Sequence, residues 1–187
     1  MAMSEFEFIF ALFGLLLGLS IAEVLGGVAR AIETRLQPGS MVRIGWLTPL
    51  LGAFVMLDLL SFWQAAWTGR DIVAVSGKSL MAITGFASAY YLAARLVFPR
   101  DMSTGLDAHF LRVRRVVIGI MFVLLLCQLG WYASVPRMAV HLARPLPLAL
   151  TAILMALMIA AMTVRGERWC RLVMLALVGR YVIVYLL

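Results

Sequence analysis

Residues 6–29 read FEFIFALFGLLLGLSIAEVLGGVA, and this run decides the class of the chain. Its only polar side chains are Glu7, Ser20 and Glu23. As a helix rising ~1.5 Å per residue, the stretch is long enough to pass the roughly 30 Å of bilayer hydrocarbon. Five further runs of similar character follow at 44–67, 80–98, 116–135, 146–164 and 169–187. The whole chain agrees: of its 187 residues 64% are hydrophobic and 13% charged, with a mean hydropathy of +1.02. Soluble domains run at about 45–50% apolar and about 25% charged. Six spans of roughly 20 residues leave only short connections, with no room for a soluble module. The expected fold is therefore all-α, a six-transmembrane-helix bundle forming a single integral-membrane domain over residues 1–187.

The boundaries carry the expected punctuation. Pro38 and Gly39 interrupt the first connection, Gly69 and Gly77 the second, and Pro99 ends the third span. Pro136, Pro145 and Pro147 bracket the fourth connection. Such residues break or start helices because of their special backbone geometry. Trp46, Trp67, Trp131 and Trp169 lie near span ends, where the amphipathic indole favours the membrane interface. The first span has no basic flank and is longer than a signal-peptide core, so it is expected to be retained.

Orientation follows from the basic residues, of which there are sixteen, all Arg except Lys78. Eleven belong to one side of the threading: Arg30, Arg35, Arg43, Arg95, Arg100, Arg112, Arg114, Arg115, Arg165, Arg168 and Arg171. The other side receives Arg70, Lys78, Arg137 and Arg144, and Arg180 falls inside the last span. The Arg-rich side should be cytoplasmic, which puts both termini outside. The Arg bias suits a GC-rich bacterial genome, and the expected location is a bacterial inner (cytoplasmic) membrane. The net charge of +7 does not indicate nucleic acid, because the basic residues are scattered between apolar runs. Within 100–115, Leu106, Phe110, Val113 and Val117 form an apolar stripe beside Arg112, Arg114 and Arg115. That segment is expected to lie against anionic lipid headgroups or, alternatively, to act only as a basic flank that sets topology.

Ionisable groups at bilayer depth are costly, so each is a functional candidate. Glu23, Asp58, Arg95 and Arg180 are such groups, and Gln128 adds an uncharged one. Counting from the cytoplasmic ends at ~1.5 Å per residue, Asp58, Gln128 and Arg180 lie about 16–18 Å deep, while Glu23 and Arg95 lie about 7–10 Å deep. Depth matching predicts two ion pairs, Asp58 with Arg180 and Glu23 with Arg95. They serve either as static ties or as groups that handle a proton or cation, and Arg95 has the further option of snorkelling to the surface.

Gly14, Gly18, Ala22 and Gly26 recur every four residues and form a small-residue stripe. Such a stripe lets another helix approach closely, either within the chain or in a homo-oligomer. Ser20, Glu23, Gly27 and Arg30 occupy the neighbouring face. Asp58, Ser61 and Gln64 make a loose polar stripe on span two, which is either the best candidate for the wall of an aqueous cavity or, equally, polar glue to a neighbouring helix.

Several chemistries are excluded or disfavoured. The two histidines, His109 and His141, lie in connections, so a bis-His haem or a Ser–His protease inside the membrane has no base or ligand. Asp58 has no second aspartate at its depth, and no phosphate-binding glycine loop occurs. Cys127 and Cys170 differ in depth by ~15 Å at the helical rise and should be free thiols. No metal, no cofactor and no enzymatic activity are expected.

The opening run to Arg30, then Arg43-Ile-Gly-Trp46, Phe62-Trp63, Leu96-Val-Phe-Pro-Arg-Asp101 and Arg114-Arg115, resembles a group of small uncharacterised bacterial polytopic inner-membrane proteins. The likeness covers roughly the first 120 residues and implies topology, with no activity attached. Two functional expectations remain: a transporter- or channel-like protein using its intramembrane carboxylates and arginines, or a non-catalytic subunit of a larger membrane complex.

Overall fold

The computed structural model describes residues 5–38, 45–68, 76–101, 105–142 and 144–186. The span ends expected at Ile44 and Leu187, the glycines Gly39 and Gly69, and the basic residues Arg43 and Arg70 lie outside the described residues. Seven helices are described: α1 (Glu5–Leu36), α2 (Leu47–Thr68), α3 (Gly77–Val97), α4 (Leu106–Ser134), α5 (Pro136–Leu142), α6 (Pro145–Thr163) and α7 (Glu167–Leu186). All except α5 are long and apolar enough to cross a membrane, which makes this a multi-pass membrane protein. Only 17–28% of each span's most apolar stretch is buried in the bundle. Leu15, Leu25, Leu126, Ile153 and Ile183 are among the many large side chains left on its outside. Water does not tolerate so much apolar surface, whereas lipid does.

α1 packs mainly on α3, α3 also on α4, and α7 on α2 and α6. α2 touches α1, α3, α4 and α7, so it occupies an inner position. Its buried Leu47, Leu51, Phe54, Val55 and Leu59 join Val117, Ile118 and Met121 of α4 in the core.

Two helices are longer than the hydropathy pattern predicts. α1 runs on to Leu36 because nothing between Arg30 and Leu36 breaks a helix, and Ala31 is still buried. α4 begins at Leu106, just after Gly105, whose positive φ of 74° suits a residue without Cβ. The expected lipid-surface segment is therefore the first turns of α4. Leu106, Phe110 and Val117 are fully buried in the bundle and Val113 packs against it, so their stripe does not face a membrane surface.

The Arg-rich end is tied by contacts between elements. The Asp107 carboxylate of α4 accepts from the Leu47 backbone N–H at 3.1 Å and so caps α2 from a neighbouring helix. Thr48 returns a hydroxyl hydrogen bond to the Leu106 carbonyl. Gly45 is required beside this clamp, since an added Cβ would fall 1.9 Å from Asp107. At the other end of α3, Ser76 and Ser79 form a reciprocal capping box.

The small-residue stripe does not make the main packing surface. Gly18 and Ala22 lie on the outward side of α1, and nothing comes within 4 Å of a Cβ built on Gly18. Of the four, only Gly14 has a tight neighbour from another helix, the Trp63 ring at 3.0 Å, while Gly26 meets only Arg30 of its own helix. The close approach falls instead on the Ser20–Glu23–Gly27 face. There the Phe98 ring is wedged between Gly27 of α1 and Gly52 of α2, 2.4 Å and 3.3 Å from the Cβ positions those glycines lack. Replacing Gly27 with Ala should therefore cost about 1–3 kcal/mol by overpacking. Gly18→Ala meets open space and gains helix propensity, so it should leave the unfolding temperature unchanged or raise it. Thermal unfolding of the purified variants separates the two; an equal response contradicts the Phe98 wedge.

Candidate functional site

The intramembrane polar residues form three separate groups. In the first, Glu23 of α1 faces Arg95 of α3, and Arg95 Nη1 donates to Glu23 Oε1. Arg30, two turns along α1, places its Nη2 3.6 Å from the same oxygen. One carboxylate thus serves two guanidinium groups, with side chains 20% (Glu23), 31% (Arg95) and 42% (Arg30) exposed. Arg95 turns inward here, and snorkelling is not its arrangement.

The second group corrects the depth-matched pair. Asp58 makes no direct ion pair with Arg180. Its Oδ2 accepts from the Tyr90 hydroxyl of α3 at 2.7 Å, and its Oδ1 accepts from the Tyr181 hydroxyl of α7. Arg180 sits one residue from Tyr181, and consecutive helical residues diverge by about 100° around the axis. Tyr181 therefore points at α2 while Arg180 turns to α6, donating to the Leu150 carbonyl at 3.2 Å. Its guanidinium carbon also lies 4.9 Å from the Tyr181 ring centre. For Asp58 and Arg180 the depth count brought the right turns of α2 and α7 together, but rotation decides the partner. The two tyrosines are what a depth count of charges overlooks. Their signal was a tyrosine within each span, since a buried phenol needs a hydrogen-bond partner.

Gln128 belongs to neither layer. Its side-chain amide donates to the Tyr132 hydroxyl one turn further along α4 at 3.2 Å. Both residues line a cavity of about 460 Å³ between α1, α2, α3 and α4, at the end of the bundle away from Glu23 and Arg95. The Asp58–Ser61–Gln64 stripe does not form the wall of this cavity. α2 contributes Phe62, Ala65 and Ala66, which lie on another face. Ser61 is instead within reach of Tyr185 of α7, and Gln64 is exposed.

Arg114 also departs from expectation. It is only 5% exposed, with Nη1 donating to Cys170 Sγ at 2.7 Å and its guanidinium over the Phe110 ring. A group so enclosed does not reach lipid headgroups; Arg112 and Arg115 remain exposed, and Arg115 also bonds the Met162 carbonyl. Both cysteines are free thiols, Cys127 exposed and Cys170 buried. Among the described residues no group of three or more His, Cys, Asp or Glu side chains is placed to hold a metal ion.

The sharing of Glu23 makes the two ends of its ion pair unequal. Glu23→Gln strips the carboxylate from both Arg95 and Arg30 and should cost about 1–3 kcal/mol, the range for leaving enclosed polar groups unsatisfied. Arg95→Gln leaves Glu23 its contact with Arg30 and should cost less. Unfolding in detergent, compared across both variants, reads this asymmetry; equal losses contradict it. Comparison with known proteins gives no family model, no curated protein and no solved structure that matches this chain.

Proposed function

We propose that this protein is a small transporter- or channel-like membrane protein in which Asp58 handles a proton or cation. One observation carries the reading: a carboxylate in an apolar span is held by two phenolic hydroxyls from two other helices, and among the described residues no arginine or lysine pairs with it directly. Carboxylates at bilayer depth are expensive, and where they occur they mark ion pathways and proton relays among other functional sites. The donors favour a proton over a metal ion. Hard cations need six or more oxygen ligands, whereas Tyr90 and Tyr181 already direct their O–H groups at the carboxylate. When Asp58 is ionised it accepts from both hydroxyls. When it gains a proton, one of its oxygens becomes an O–H donor and a poorer acceptor, which weakens or reverses the tyrosine contact on that oxygen. Because the three residues lie on α2, α3 and α7, a change in proton occupancy acts on the contacts among three helices. Arg180 supplies positive charge close by without neutralising Asp58 directly, and the Glu23–Arg95–Arg30 group is a static tie in this scheme.

The Arg distribution supports a cytoplasmic placement of the Arg-rich end, with both termini outside, in a bacterial inner membrane. Exposed Arg112 and Arg115 then fall where anionic headgroups are found.

A second reading, an assembly partner in a larger membrane complex or a homo-oligomer, is favoured by a different observation. Among the described residues, the outward Gly18–Ala22 part of the small-residue stripe has no neighbour within 4 Å of a Cβ built on Gly18. Two-way replacement separates the readings. In proteoliposomes with an internal pH-sensitive dye and an imposed potential, Asp58→Asn should reduce proton flux at least tenfold in protein that still folds, elutes as the wild type does and reconstitutes to the same level. Wild-type flux no greater than that of empty liposomes contradicts the transport reading. The assembly reading predicts that Gly18→Leu lowers the particle mass measured by light scattering in mild detergent, and an unchanged mass counts against it.

A further inference from the structure

The cavity at the end of the bundle remote from Glu23 has features that the Asp58 reading does not use. Four helices build it: the first turns of α1 and α3 and the last turns of α2 and α4. Phe10, Phe13, Phe62, Phe86 and Trp131 line it with aromatic rings. Several of these rings brace one another: Phe62 stacks on Phe86 with centroids 4.3 Å apart, and Phe13 meets Phe62 edge-on at 5.2 Å. The walls are therefore preformed, and the volume of about 460 Å³ falls within the roughly 300–1,000 Å³ of small-molecule sites. No charged side chain is among the described residues that line it. Its polar edge consists of Gln128 and Tyr132, hydrogen-bonded to each other, with Ser79 engaged in the α3 cap.

That composition selects by charge. An ionised group placed inside would lose its hydration and meet no counter-ion, which is strongly unfavourable. An apolar body gains burial against the rings, and one neutral polar group can share the hydrogen bonds of the Gln128 amide and the Tyr132 hydroxyl. We propose that this cavity binds an uncharged amphiphile, with an apolar body and a single hydrogen-bonding group, taken up from the lipid phase. The occupant is a neutral molecule and not a phospholipid, because nothing charged on the described walls answers a phosphate. The site needs none of Glu23, Asp58, Arg95 or Arg180, so it stands or falls apart from the transport reading.

Photolabelling in proteoliposomes tests it, using dodecanol that carries a mid-chain diazirine and mapping the adducts by peptide mass spectrometry. Labelling should concentrate on the cavity stretches of α1 to α4 and be displaced at least fivefold by excess plain dodecanol. Dodecanoate and dodecyltrimethylammonium at matched membrane content should displace it little. Ala82→Trp, which fills the cavity from α3, should lower cavity labelling about tenfold while labelling of the outward leucines persists. Gln128→Leu, which keeps the shape and removes the amide, should weaken displacement by dodecanol at least threefold and covers the case in which Ala82→Trp does not fold. Labelling spread evenly over the outer surface overturns the proposal. So does equal competition by the charged amphiphiles, or stronger cavity labelling by a phospholipid bearing the same diazirine chain.

Discussion

The hydrogen bonds from Tyr90 and Tyr181 to the Asp58 carboxylate are the contact on which the inner architecture depends. α2 holds the inner position, and Asp58 is where it meets α3 and α7 through polar atoms. In an apolar medium no hydrophobic driving force favours burying one more leucine between helices, so close packing and hydrogen bonds decide which faces pair. Two hydroxyls from two helices converging on one carboxylate fix the rotation of all three. Around them Phe54 and Phe62 pack against Tyr181 and Tyr90, so the polar contact lies inside an aromatic shell.

The two ends of the bundle are held by different physics. At the Arg-rich end, Asp107 caps α2, His109 contacts the Leu96 carbonyl, Glu23 joins Arg95 and Arg30, and Phe98 fills the space left by two glycines. These contacts are directional or sterically exacting. At the opposite end the helices are separated by the aromatic cavity, and its edge carries two polar contacts local to one helix, the Ser76–Ser79 cap and the Gln128–Tyr132 bond. The cavity wall and the carboxylate site are neighbours, since Phe62 and Phe86 lie beside Tyr90, whose hydroxyl reaches Asp58.

Hydropathy was enough to read six spanning helices, because a run of apolar residues can be counted without knowing its neighbours. It located helix ends less well. Arg112, Arg114 and Arg115 interrupt hydropathy without interrupting α4, whose continuity comes from Leu106 and Phe110 packing inside. Of the site, the common level of Glu23 and Arg95 was legible and azimuth was not, and for Gln128 the level failed too, because the count began at Val116 whereas α4 begins at Leu106. Counting rises brought Glu23 and Arg95 to one depth, and the same count gave Asp58 and Arg180 a common depth while leaving Tyr181 unnoticed beside Arg180. The stripe from Gly14 to Gly26 shows the same limit: the spacing is plain in the sequence, but which side of α1 faces α3 is set by Phe98 and its fit to Gly27. The cavity arises from four helix ends that are far apart in the chain, and no local pattern announces it.

The central claim is that Asp58 is bound by tyrosine hydroxyls and not by Arg180, and double-mutant cycles on unfolding free energy test it most directly. Asp58→Asn combined with Tyr181→Phe should show a coupling of about 1.5–3 kcal/mol, as for hydrogen bonds to a charged group. The cycle of Asp58→Asn with Arg180→Gln should couple by clearly less. A larger coupling to Arg180 than to Tyr181 would contradict the account and restore a direct ion pair as the link between α2 and α7.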